Sequence, residues 1–66
     1  MKVIINGIET EIPENSTIKQ VLNLVNIKSN MLVVEKNLCI IDKKDYESHL
    51  LKDGDSLEIV GFFGGG

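Results

Sequence analysis

The sequence predicts an α+β fold, a mixed sheet of about five strands with one main helix packed on one face. Three features carry that prediction. Asn6-Gly7, the dipeptide that most readily takes the positive backbone angles of a tight type I′ turn, separates two short strand-like runs. Thr17 stands directly before Ile18, Val21, Leu22 and Val25, which are spaced as one face of a helix. Asp53-Gly54-Asp55 makes a turn ahead of Ser56-Leu57-Glu58-Ile59-Val60, an alternating run. In a chain of 66 residues, near the lower limit for a single unstapled core, one helix laid across one sheet is an economical way to bury this pattern.

The elements follow in order. Lys2 to Asn6 and Ile8 to Ile12 form the opening hairpin, and the alternation of Glu9 and Glu11 with Ile8, Thr10 and Ile12 gives the second strand a wet face and an edge position. Pro13 ends it. The helix runs from Thr17 to about Asn26, opened by a Thr17-x-x-Gln20 capping box and closed by Asn26 and the polar Lys28-Ser29-Asn30. Met31 to Glu35 and Leu38 to Ile41 read as strands joined through Lys36-Asn37, and their apolar character predicts burial on both sides. Lys43, Lys44 and Asp45 open a polar stretch, a short helical turn or 3₁₀ segment anchored by Tyr46, Leu50 and Leu51. The last strand starts at Ser56 and includes Leu57, Ile59 and Phe62. The order strand, strand, helix, strand, strand, strand is that of a β-grasp domain, with the first and last strands parallel at the sheet centre and a right-handed crossover between them. One domain spans residues 1–66, and glycines 64–66 form a flexible, reactive tail.

Composition narrows the function. A hydrophobic fraction of 42% and a charged fraction of 26% are those of a soluble globular protein. The single cysteine, Cys39, cannot close an internal disulfide, and one Cys with one His makes no zinc site. There is no apolar run of membrane-spanning length and no signal-peptide stretch at the N-terminus, so a cytoplasmic location is expected and Asn15-Ser16-Thr17 is read as turn and cap residues. A net charge of −3 leaves no basic footprint for nucleic acid and suits a partner with a basic surface.

The opening KVIING hairpin, the STIKQVL helix start, the MLVVEKN strand, Tyr46, DGDSLEIV and the terminal Gly65-Gly66 together resemble the ThiS sulfur carriers of thiamin biosynthesis, small ubiquitin-like β-grasp proteins. The resemblance covers nearly the whole chain. It departs from that family at Ile41-Asp42, where relatives often carry a proline, and at Cys39, for which the family's chemistry has no use.

The residues themselves offer no catalytic constellation. Cys39, among Leu38, Ile40 and Ile41, reads as a buried, inert thiol. His49 has no cysteine or acid at a converging spacing. The pairs Asp42/Asp45 and Asp53/Asp55 lack the further ligands of a calcium loop and read as solvated turn residues. The triple glycine precedes no helix and is not a phosphate loop. What remains is the carboxylate of Gly66. A mixed anhydride with AMP would make it an acyl donor to a sulfur nucleophile, and Gly64 and Gly65, without side chains, can thread a partner's narrow channel. The plain alternative is a frayed end. Phe62 and Phe63, on successive strand positions, cannot both face one core, so one is a candidate docking anchor unless a twist at the strand end buries both.

The resemblance implies the rest. An E1-like adenylating enzyme of the ThiF type would activate Gly66 with ATP and magnesium, a sulfur donor protein would convert it to a thiocarboxylate, and a ThiG-type thiazole synthase would take the sulfur. The chain would bind no cofactor of its own and act as co-substrate and shuttle, not as an enzyme. Two other readings share the fold: a sulfur carrier for molybdopterin, tungsten-cofactor or cysteine synthesis, and a non-covalent β-grasp interaction module with an idle glycine end.

Overall fold

The structure, a computed structural model, describes residues 1–25 and 32–61. Five strands, β1 (Lys2–Ile5), β2 (Ile8–Glu11), β3 (Leu32–Lys36), β4 (Cys39–Ile41) and β5 (Ser56–Gly61), form one sheet in the order β2-β1-β5-β3-β4. Helix α1 (Ile18–Leu24) follows the first hairpin, and a 3₁₀ turn (Lys43–Asp45) follows the second. β1 and β5 are parallel neighbours inside the sheet, while β1–β2, β3–β4 and β3–β5 are antiparallel. The element order and the central parallel pair are those expected.

The local signals act where the sequence places them. Asn6 and Gly7 have φ of 49° and 84°, as a type I′ turn requires, and join Ile5 to its partner Ile8. At α1 the Thr17 side chain accepts the Gln20 N–H at 3.2 Å while the Gln20 side chain accepts the Thr17 N–H at 2.8 Å, so two otherwise orphaned amides are satisfied at once. The helix ends at Leu24 with Val25 as its C-cap; the expected end at Asn26 lies outside the described residues.

The core fills the space between α1 and one face of the sheet. Ile18, Val21 and Leu22 meet Val3, Ile5, Val34, Leu57 and Ile59, and Ile12, Tyr46 and Leu51 close the cluster. Tyr46 and Leu51 are thus the anchors foreseen for the polar stretch, but Leu50 is exposed. The 3₁₀ region is tied to the helix through its backbone, since Ile18 N–H donates to the His49 carbonyl and Lys19 N–H to that of Tyr46.

Four expectations need correction. β3 and β4 are not buried on both sides: β4 is an edge strand, and Val33, Leu38 and Ile40 are exposed. One helix can cover only one face of the sheet, whatever the apolar content of its strands. The β3–β4 connection is Asn37-Leu38 and not Lys36-Asn37, because Lys36 pairs with Cys39 and the two residues between them take φ of 51° and 72° in a second turn with positive φ at both positions. Cys39 is exposed, lying on the uncovered edge. Asp55 is buried rather than solvated. Its carboxylate accepts Lys52 N–H at 2.8 Å and Asn37 Nδ2–H at 3.2 Å, with Lys36 Nζ at 3.9 Å.

Candidate functional site

The site begins with how β5 is held. Asp53 and Gly54 take both backbone groups of Lys2: Lys2 N–H donates to Asp53 Oδ1 at 2.8 Å and Gly54 N–H donates to the Lys2 carbonyl at 2.7 Å. The parallel pairing continues as Ile4 N–H donates to the Asp55 carbonyl and Asn6 N–H to the Leu57 carbonyl. β1 then turns away at Gly7, and the Asn6 side chain takes over. Its Oδ1 accepts Ile59 N–H at 2.7 Å and its Nδ2 donates to the Ile59 carbonyl at 3.1 Å, as a further strand residue would. On the other side β3 pairs with β5 as far as Leu32 and Gly61. β5 is therefore an inner strand braced on both flanks. Phe62, Phe63, Gly64, Gly65 and Gly66, the residues assigned to docking, threading and attachment, lie outside the described residues.

The sheet face away from α1 is the feature sequence reasoning missed. Strand alternation and register put Ile4, Val33, Val60 and Ile40 on this face together with Lys2, Glu9, Glu11, Glu35 and Glu58. Val33 stands opposite Val60, and Glu35 opposite both Glu58 and Ile40. Val60 is 53% exposed and Ile40 69%. The exposed Val33–Val60 pair and Ile40 thus flank Glu35 and Glu58 across β3, β4 and β5, the last of which leads to the C-terminal segment. The signal was available: five strands and a single amphipathic helix must leave one face without cover.

The other candidates fall into place around it. His49 is partly buried and serves through its backbone. Asp45 lies beside Lys44 Nζ at 3.4 Å. Among the described residues no three His, Cys, Asp or Glu side chains converge to hold a metal, and no helix is long and apolar enough to cross a membrane. An open groove of about 380 Å³ lies between the loop at Pro13–Ser16 and the helix residues Gln20, Asn23 and Leu24. Two of its polar atoms are engaged in the local turn, Ser16 Oγ donating to the Pro13 carbonyl and Gln20 Oε1 accepting from Thr17 N–H.

A mixed sheet with its first and last strands parallel and adjacent, and one helix across one face, defines a β-grasp domain. Comparison with known proteins agrees in detail. The crystal structure of the thiamine biosynthesis protein ThiS from Geobacter metallireducens matches with a TM-score of 0.84 and 25% identity, covering 100% of both chains. The sulfur carrier protein ThiS of Bacillus subtilis (strain 168) is 38% identical over 53 residues, 80% of this chain and 80% of that protein. A thiazole synthase of Paramagnetospirillum magneticum is 41% identical over 66 residues, which is 100% of this chain; the chain spans 20% of the length of that relative. A family profile described as the ThiS family matches residues 3–66. The chain belongs to the ThiS family, and is of the sulfur-carrier type rather than an enzyme.

Proposed function

We propose that this chain carries sulfur in thiamin biosynthesis on the C-terminal carboxylate of Gly66. The observation that carries the proposal is the family match over residues 3–66, which includes the terminal glycines. The name of the Bacillus subtilis relative supports sulfur carriage, and the likeness of the whole chain to part of a protein named thiazole synthase supports a thiazole synthase as the acceptor.

The chemistry follows from what a carboxylate lacks. It is a poor acyl donor until its oxygen attacks the α-phosphorus of ATP, expelling pyrophosphate and leaving an acyl-adenylate. Hydrosulfide (HS⁻) released by a donor protein then adds at the acyl carbon, the new C–S bond replacing the C–O bond to AMP, which departs and leaves the thiocarboxylate. ATP and magnesium belong to the ThiF-type activating enzyme, and the carrier contributes the carboxylate and its delivery. Gly64 and Gly65 give the approach without steric exclusion, so the reacting group reaches ATP inside a narrow channel. Gly66 is the fifth residue after Gly61, a reach of at most roughly 17 Å for an extended chain. One of Phe62 and Phe63 serves as a docking anchor. These steps take place in the cytoplasm.

The test is carrier-dependent exchange of pyrophosphate into ATP by a purified ThiF-type enzyme. Exchange should require the chain, ATP and magnesium together. An enzyme active on another carrier but silent with this one would remove the proposal.

A further inference from the structure

On the open face, Glu35 of β3 stands directly opposite Glu58 of β5. Side chains so placed have Cβ atoms about 5 Å apart, and like charges there destabilise a sheet. Among the described residues no cation is paired with them. Lys36 is on the opposite face with its Nζ 3.9 Å from Asp55, and Lys2 Nζ is 4.0 Å from Glu9. The pair is set in apolar surroundings, with Ile40 on the far side of Glu35 and the exposed Val33–Val60 pair in the same two strands.

We propose that the Glu35–Glu58 pair receives an arginine guanidinium from the enzyme that adenylates the tail, a deepening that rests on the carrier reading above. A guanidinium is a planar fork that can bridge two carboxylates and is weakly enough hydrated to sit among Ile40, Val33 and Val60. A second copy of this chain is the wrong occupant, because among the described residues this face carries four carboxylates (Glu9, Glu11, Glu35 and Glu58) and one lysine, Lys2, its ammonium already beside Glu9, so docking face to face would bring Glu35 and Glu58 mainly against further carboxylates. The occupant is instead tied to the tail. Glu58 lies eight residues before Gly66 on the same chain, so whatever holds the terminal carboxylate has its surface within at most roughly 27 Å of this pair.

The experiment measures activation by a ThiF-type enzyme against carrier concentration for wild type, Glu35→Gln, Glu58→Gln, the double Gln variant and Glu58→Lys, with Glu47→Gln as an exposed control in the loop after the 3₁₀ turn. Each Gln change should raise KM for the carrier about threefold to tenfold with kcat little changed, and Glu58→Lys should raise it further. Added salt should weaken the wild type more than the double variant. The melting temperatures of the Gln variants should hold or rise, since the repulsion is gone; a purely structural pair would lose stability along with binding. Unchanged KM, or a parallel fall in melting temperature, overturns the inference while leaving the carrier reading in place. Dimers of the carrier alone that tighten in the Gln variants would assign the face to a second copy and overturn it as well. If the wild type is not activated at all, the carrier reading fails and this inference with it.

Discussion

Leu38 sits at φ 72° with its side chain 90% exposed, a conformation and a surface that suit glycine better. Leu38→Gly turns the second hairpin into Asn-Gly, the preferred pair for this turn. It should raise stability by about 0.5–1 kcal/mol, read as a higher denaturation midpoint. The neighbouring Cys39 is exposed, so Cys39→Ala should stay within about 0.5 kcal/mol of wild type and, under the proposal that the cargo rides on Gly66, leave sulfur loading unchanged. Tyr46 is the titrating group whose environment matters most to the core. Burial pushes its phenol above the usual value near 10, the Val34 backbone group beside it pulls the other way, and the Asp42 carboxylate raises it again. The folded state therefore favours the neutral phenol. Its contribution is fully present below about pH 10 and is lost as pH rises through the folded pKa. In denaturation curves taken across the alkaline range, wild type should lose stability relative to Tyr46→Phe above that point, and a constant difference would refute the assignment. Tyr46 and Leu51 were legible as anchors because few apolar residues stand in a polar stretch. The exposure of Cys39 was not, since it depends on β4 having no neighbour beyond it.

At the scale of elements, the local devices were readable and the shared ones were not. The Asn6-Gly7 turn and the Thr17/Gln20 box depend on residues within a few positions of one another, so spacing alone reveals them. The role of Asn6 in holding β5 joins positions 6 and 59, and the buried Asp55 gathers Lys52, Asn37 and Lys36; neither spacing is periodic. Asn6→Ala removes both side-chain hydrogen bonds to Ile59 and places alanine at positive φ, so it should cost about 1–3 kcal/mol. Amide exchange at Ile59 should rise more than at Val34, which lies in the middle of β3. Equal loss of protection at both would mean that Asn6 stabilises the fold without bracing the strand that leads to the tail.

At the scale of the whole molecule, the sheet has a covered face and an open one. The covered face holds Ile18, Val21, Leu57, Val3 and Val34, all fully buried, and supplies the stability. Truncating one of these, as in Leu57→Ala, should cost about 2–5 kcal/mol and impair loading only through unfolding. The open face is the surface to which the proposed docking is assigned. The fold was readable from the pattern, while the proposed attachment at Gly66 rests on the glycine triplet and the family resemblance and lies outside the described residues. The open face was not readable, because the apolar strands were credited with burial that one helix cannot provide.

The most direct test of the central claim is the intact mass of the chain after incubation with a ThiF-type enzyme, ATP, magnesium and a sulfur donor. Wild type should gain the mass difference between sulfur and oxygen, localised to Gly66, while deletion of Gly65-Gly66, addition of one residue after Gly66, and Gly65→Val should leave the mass unchanged in proteins that still fold. Loading of the shortened chain at the wild-type rate, or sulfur found on Cys39 and not on Gly66, would contradict it.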